Sequence, residues 1–375
     1  MGKKLYIIAG EASGDLHGSN LLEELLSQSS NLDVRFWGGD RMAKLTGQAP
    51  AKHIKDLAFM GFWEVITNLR TIASNLRFCK EDISKFKPDA LVLIDYPGFN
   101  LRIAQWAKKQ GIKVYYYISP QVWAWKENRV KKIKACVDEM FVILPFEKDF
   151  YKKHDFQVEY LGHPLLDEVE KFKAIAKSKD EFYKEYNLLD KPIIAILPGS
   201  RKQEISVKLP LMLEACKNFP EYQFIIAGAP SLEEDFYTSI CKKFDDAAIV
   251  FGQTYNLLNQ STAALVTSGT ATLETALLEI PQVVCYKANP ISYQIAKRLI
   301  NIKFISLVNL IMDEEVVREL IQNECNAKDI LKELKEILPN GNKRNRISLK
   351  YKELISRLGG GGASRDVAAA ILSSL

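Results

Sequence analysis

The sequence predicts an α/β protein of two domains, each built on a doubly wound, mostly parallel sheet. Three observations carry this. Short apolar runs alternate with helical patterns along most of the chain, the signature of repeated β-α units. A highly charged stretch near the middle interrupts that alternation, which then restarts. The chain has 375 residues, and single cores rarely grow beyond about 250–300.

In chain order, LYIIAG (5–10) reads as the first strand, with a helix over roughly 15–27. VRFWGG (34–39), DALVLID (89–95), KVYYYIS (113–119), EMFVILP (139–145) and QVEYLG (157–162) read as further strands, with helical patterns between them. Residues 169–191 are charged and poor in strand signal, and read as a linker carrying one or two surface helices. The second set of strands is IIAILPG (193–199), YQFIIAG (222–228), AAIVF (247–251), AALVTSG (263–269) and QVVCY (282–286). Helical segments close the chain, with the break LGGGGAS (358–364) before the last one. The expected division is therefore a first domain over 1–168, a linker over 169–191, a second domain over 192–344 and terminal helices over 345–375. Two such domains in series place a ligand cleft at the carboxyl ends of their strands.

Composition narrows the function. The chain is 47% hydrophobic, 26% charged and 10% aromatic, which describes a folded protein. Its net charge of +5 is small for this length and does not indicate nucleic-acid binding. Six scattered cysteines and four scattered histidines make no C-x-x-C pair and no zinc-ligand spacing, so reduced thiols and no metal site are expected. The N-terminal apolar run is too short for a signal peptide, and no apolar stretch is long enough to span a bilayer. The expectation is a cytoplasmic protein that touches a membrane surface. No oligomeric state follows from the residues.

Three strand-to-helix turns have chemical potential. GEASGDLHG (10–18) follows a strand, but its glycines are each four apart, unlike a dinucleotide fingerprint. It reads either as a tight turn with Ser13 or Asp15 capping the helix, or as a lining for an acceptor substrate through Glu11 and Ser13. ILPGSRKQE (196–204) ends a strand and either offers Gly199, the Ser200 hydroxyl and the planar Arg201 guanidinium to phosphate oxygens, or is a surface loop whose arginine is solvated. VTSGTATLETALLE (266–279) puts Ser268, Gly269 and Thr270 at a helix start, where free N–H groups suit a pyrophosphate. Glu274 follows one turn later and can accept both ribose hydroxyls, or simply complement the helix dipole. Together these turns fit a nucleoside diphosphate. A P-loop and an Asp-x-Asp metal motif are both missing, so the diphosphate charge falls to Arg201, helix ends and hydroxyls.

Asp95 ends the strand LVLID before a Pro97-Gly98 turn. A carboxylate at the end of a central strand can take a proton from an attacking hydroxyl, or cap the next helix. Residues 59–78 form an amphipathic pattern with Phe59, Phe62, Trp63, Ile66, Leu69 and Leu76 on one face, widened by Met60. That face suits either the core or acyl chains at a membrane. In WAWKENRVKKIK (123–134), Trp123 and Arg129 belong to an aromatic and basic cluster that suits anionic headgroups or a phosphorylated acceptor, or is a solvated basic helix.

AGEASGD, MGFWEV, KPDALVLIDYPGFN, YYISPQVWAWKENRVKKI, LPFEKDFY, GHPLLD, LPGSR, SGTATLE and SLVNL occur in this order, followed by ASRDVAAAIL at the end. Together they resemble the lipid-A-disaccharide synthase family over nearly the whole chain. The resemblance implies a GT-B fold, two Rossmann-like domains facing across a cleft. It implies an inverting transferase that joins UDP-2,3-diacylglucosamine to 2,3-diacylglucosamine 1-phosphate (lipid X), giving the β-1,6 disaccharide and UDP, with no cofactor and no metal. It puts the family's base on Asp95, its LPGSR arginine on Arg201 and its SL-x-N asparagine on Asn309. Some members carry a second acid where this chain has Gly98, which leaves Asp95 alone. The resemblance also implies that the terminal helices over 345–375 cross back to the first domain. The implied setting is the cytoplasmic face of the inner membrane. A UDP-sugar epimerase and a non-catalytic nucleotide-binding scaffold are the rival readings; the aromatic stripe argues against the first and Asp95 against the second.

Overall fold

The structure is a computed structural model that describes residues 2–57, 69–125, 127–242, 244, 247–289, 293–294, 297–298 and 302–375. The chain divides into two compact units, Met1–Asp167 with Gly360–Leu375, and Glu168–Gly359.

The first unit holds a seven-stranded sheet. Its strands are β1 (Lys3–Ala9), β2 (Leu32–Gly38), β3 (Lys52–His53), β4 (Ala90–Ile94), β5 (Lys113–Tyr117), β6 (Glu139–Val142) and β7 (Glu159–Tyr160), in the order β3-β2-β1-β4-β5-β6-β7. Every pairing is parallel. A parallel sheet covered on both faces needs apolar residues on both sides of each strand, which is why LVLI reads as a continuous run. Alternate residues serve opposite cores: Tyr6, Ile8, Leu91, Leu93 and Tyr116 on one face, and Leu5, Ile7, Val92, Ile94, Tyr115 and Tyr117 on the other.

That second face is closed partly by the end of the chain. Val367, Ala368 and Ile371 of the helix Ala363–Ser374 are buried in it. The helix packs beside Ala12–Gln28. Its start is fixed by Asp167, whose carboxylate accepts from the backbone N–H groups of Gly362 and Ser364. Its end is fixed by Lys113, which donates to the Ser374 carbonyl at 2.7 Å. Ile371 has no exposed surface. Ile371→Ala is therefore expected to destabilise the first unit by about 2–5 kcal/mol, the usual cost of such a truncation. All five tryptophans of the chain precede residue 126, so denaturant unfolding followed by tryptophan fluorescence reports this unit directly.

The second unit holds a six-stranded sheet in the order β10-β9-β8-β11-β12-β13. Its strands are β8 (Ile193–Leu197), β9 (Gln223–Gly228), β10 (Ala247–Phe251), β11 (Ser261–Thr267), β12 (Gln282–Tyr286) and β13 (Glu319–Ile321), again all parallel.

The expected divisions shift in two places. Residues 169–191 are not a free linker. They are strapped onto the second unit: Phe182 is fully buried, the Gln223 side chain donates to the carbonyls of Leu189 and Lys191 at 2.7 and 2.6 Å, and Lys177 N–H donates to Asn256 at 3.0 Å. Residues 345–375 divide between the two units. The helix Arg344–Leu358 stays with the second unit, where buried Tyr351 accepts from Gln282 at 3.0 Å. Only the segment after Gly359 belongs to the first. The positive φ values of Gly359 (84°) and Gly362 (97°) turn the chain between those two helices.

Candidate active site

In an open parallel sheet, ligands bind where the strand order reverses, because adjacent crossovers leave on opposite faces and open a crevice. The first sheet reverses between β1 and β4, and the second between β8 and β11. The turns GEASGD and IDYPG leave the first pair of strands. The turns LPGSR and TSGTATLE leave the second. The second-unit candidates thus lie at a switch point, and Asp95 lies at the end of a strand that flanks one.

In the first unit, β4 ends in two consecutive left-handed residues, Asp95 (φ 44°) and Tyr96 (φ 47°). Such conformations cost free energy for non-glycine residues and persist where neighbours over-determine them. Here the buried Asn100 side chain donates to the Asp95 carbonyl at 2.8 Å and to the Ile94 carbonyl at 3.2 Å, and Tyr116 donates to the Asp95 carbonyl at 2.6 Å. With its backbone pinned, Asp95 faces a cavity of about 250 Å³, also lined by Pro97, Ile118, Ser119, Gln121, Ile143, Leu144 and Glu147. Burial, helped by the nearby charge of Glu11, pushes the Asp95 carboxyl up to about 6; a hydrogen bond from the Tyr96 amide opposes this. Asp95 is therefore a carboxylate at neutral pH that is unusually willing to take a proton.

Glu11 and Ser13 are exposed at the start of the helix Ala12–Gln28. Glu11 occupies the cap position without a side-chain cap bond, so neither Ser13 nor Asp15 caps this helix. Asp15 instead accepts from the amides of Gly39, Arg41 and Met42 at 2.7–3.3 Å, and so caps the neighbouring helix Asp40–Thr46. Trp123 is half-buried and edge-on to Phe146 at 4.9 Å, so its ring packs inward rather than projecting as a free membrane anchor. Arg129 is half-buried at the end of a 3₁₀ turn, while Lys131, Lys132 and Lys134 beyond it are exposed. Phe59, Met60, Phe62 and Trp63 lie outside the described residues. The helix that follows, Leu69–Phe86, buries Cys79, Asp82 and Ile83 and exposes Phe78.

In the second unit, a cavity of about 290 Å³ is lined by both switch-point turns: Gly199, Ser200 and Glu204 from one, and Thr267, Ser268, Gly269, Thr270, Ala271 and Glu274 from the other. Gly199 (φ 115°) and Gly269 (φ 146°) hold backbone conformations closed to other residues. They deliver the chain into the helices Lys202–Cys216 and Thr270–Leu277. Neither helix start has a side-chain cap, so first-turn N–H groups stay available to an anion. The Thr267 hydroxyl is buried at this cavity without a partner among the described residues. Glu274 accepts from Tyr255 at 2.9 Å, while burial and the charge of Glu168 raise its carboxyl.

Two expected donor residues are placed differently. Arg201 does not line this cavity. It is largely exposed, with one guanidinium nitrogen 3.5 Å from Glu204, and borders an adjoining hollow with Tyr286 and Lys287. The Asn309 side chain does not face this cavity. Its amide donates to Val317 and Glu319 at 2.8 and 2.9 Å and its oxygen accepts from the amides of Val316 and Val317, so a fully buried side chain is fully used. Its role is structural support. Glu319 also accepts from the amides of Ile305 and Ser306, and the Ile305 carbonyl accepts the Ser268 hydroxyl at 2.8 Å. The SLVNL segment thus braces Ser268 from behind.

The family model for lipid-A-disaccharide synthetase matches residues 5–371. The chain belongs to that family. A lipid-A-disaccharide synthase from Syntrophus aciditrophicus is 40% identical to this family member, covering 99% of this chain and 97% of that one. One from Coxiella burnetii is 39% identical, with 98% and 97% covered. Among solved structures, a UDP-GlcNAc 2-epimerase from Neisseria meningitidis bound to UDP-GlcNAc superposes with a TM-score of 0.69 at 15% identity, over 99% of this chain and all of that one. That likeness shows the fold, a two-domain GT-B architecture. As a lipid-A-disaccharide synthase, the chain is a glycosyltransferase that makes the lipid A disaccharide.

Proposed function

We propose that this glycosyltransferase is inverting and metal-independent, with Asp95 as the base, UDP-2,3-diacylglucosamine as donor and 2,3-diacylglucosamine 1-phosphate (lipid X) as acceptor. The observation that carries this is Asp95, a raised-pKa carboxylate held by a strained strand end against a cavity at the carboxyl ends of β4, β5 and β6. Asp95 takes the proton of the acceptor 6-hydroxyl as that oxygen attacks the anomeric carbon. The bond from that carbon to UDP breaks with its electron pair going to the diphosphate, and one displacement yields a β-1,6 linkage.

Charge develops on the departing diphosphate, where fixed donors help most. The uncapped helix starts at Lys202 and Thr270 and the Ser200 and Thr267 hydroxyls support that role, with Ser268 shaping the turn from its bond to the Ile305 carbonyl and Glu274 on the ribose. A cation is unnecessary where these donors carry the charge, and Arg201 swings onto the diphosphate from its exposed position. Arg201→Ala is expected to weaken UDP binding about tenfold, the scale of one charge-assisted hydrogen bond. Calorimetric titration with UDP checks it; unchanged affinity and turnover remove Arg201 from the site.

No described helix is long and apolar enough to cross a membrane. The exposed Lys131, Lys132 and Lys134 support peripheral attachment to anionic lipid at the cytoplasmic face of the inner membrane. The direct test is incubation with both lipid substrates in the presence of EDTA. UDP release with a β-linked disaccharide supports the reading. An α linkage, loss of activity to the chelator, or epimerised UDP-sugar overturns it.

A further inference from the structure

The acceptor cavity holds a second carboxyl group. Glu147 lies in the LPFEKDFY segment, only 1% exposed, and lines the same 250 Å³ cavity as Asp95. It is no free acid. One oxygen accepts the Ser119 hydroxyl, and the other accepts the amides of Ile143 and Leu144 at 3.3 and 2.9 Å. Three donors inside the wall occupy it, so it has little left to offer a reacting proton.

The informative group is the one it holds. Ser119 follows Ile118, a β-branched residue at φ 64°, where such side chains are rarely found. This strained corner at the end of β5 delivers Ser119 onto Glu147 and to the cavity wall. A serine hydroxyl has one proton and two lone pairs. With its proton committed to a carboxylate, Ser119 can only accept from a ligand. The Asp95 carboxylate on the same cavity also only accepts. A pocket walled by two such acceptors suits the hydroxyl groups of a sugar ring and repels a phosphate.

We propose that Glu147 is a positioning residue of the acceptor half-site: through Ser119 it orients a second hydroxyl of the acceptor sugar, directing the reacting hydroxyl to Asp95 and keeping the acceptor's phosphate outside this cavity. This rests on the acceptor reading of the Asp95 cavity given above. It also carries a pH dependence. The groups facing Glu147 are Ser119 from the end of β5, the Trp123 indole, the Ile143 and Leu144 amides, and Tyr151 of its own helix. Burial pushes its carboxyl up to about 7 against those hydrogen bonds. Once protonated, Glu147 donates to Ser119, whose own proton then turns into the cavity. Acceptor binding should weaken as pH falls through about 7.

The test is steady-state kinetics of Glu147→Gln and Ser119→Ala with lipid X as the varied substrate, between pH 5.5 and 8.5. In Glu147→Gln the amide oxygen serves Ile143 and Leu144 while its NH₂ faces Ser119, fixing the reversed polarity. Both variants are expected to raise the acceptor KM about tenfold or more at pH 8, with kcat and UDP affinity within about threefold of the parent. The parent's KM should rise on acidification through pH 7 more steeply than that of Glu147→Gln; titration of the acceptor's phosphate is common to both. An unchanged KM, or a fall in kcat alone, overturns the proposal. If Glu147→Gln fails to fold, Ser119→Ala, which removes one hydroxyl, decides it. Asp95→Ala run in parallel separates the two readings. If that variant stays active, the base assignment fails. If it is dead while the Glu147 and Ser119 variants match the parent, only the positioning proposal fails.

Discussion

Asp95→Ala is expected to lower kcat by on the order of 10²–10⁴, the contribution of a well-placed general base, while UDP affinity stays within about twofold. The two effects separate because the proposed base and the proposed nucleotide seat belong to different units, each with its own sheet. The backbone around Asp95 is held by Asn100 and Tyr116 through main-chain carbonyls, not through the carboxylate. Removing the carboxylate therefore takes away the proton acceptor and leaves the strand end in place. Asp95→Asn should behave alike, since it keeps the shape and loses the basicity. Turnover measured beside calorimetric UDP binding checks both variants. A variant that lost UDP binding together with turnover would point to damage beyond the carboxylate.

Glu274→Ala is expected to weaken UDP binding about 10–100-fold, the range for losing hydrogen bonds to a charged group. Glu274 is the carboxylate lining the cavity on the Thr270–Leu277 helix, and Tyr255 already fixes one of its oxygens. Its burial is costly to a charge and is offset when ligand hydroxyls supply further donors. The control is inorganic pyrophosphate, which has no ribose. Its affinity should be unchanged or higher in Glu274→Ala, because a negative charge near the anion seat has gone. Equal losses for UDP and pyrophosphate would place Glu274 with the phosphates instead.

Much of this was legible in the residues because parallel sheets write plainly. Strands buried on both faces appear as continuous aliphatic runs, and IIAIL and ALVLI are unmistakable. Two of the four edge strands escaped: β3 has two residues, too few for any period, and β13 carries Glu319, whose charge disguises a strand end that works as a hydrogen-bond hub. Ser268, Gly269 and Thr270 line the cavity where strand-turn-helix spacing put them, since that spacing fixes the backbone directly. The side-chain bonds of Asn309 were not legible, because a motif position does not reveal whether an amide's donors and acceptors are already taken. Glu147 was missed as a site residue for the opposite reason. It lies far in sequence from Asp95 and meets the same cavity only through the neighbouring strand ends. The return of the last helix to the first unit was expected from the resemblance alone, because the capping contact from Asp167 has no local sequence signal.

The central claim is that Asp95 must be ionised for transfer to occur. The pH dependence of kcat at saturating donor and acceptor tests it most directly, since saturation removes effects on acceptor binding. Burial and the Glu11 charge hold the Asp95 carboxyl near 6, so kcat should fall tenfold per pH unit below that value and level off above it. The small residual rate of Asp95→Asn should show no such limb. A kcat that stays flat from pH 7 to pH 5, or an identical limb in Asp95→Asn, would contradict the account.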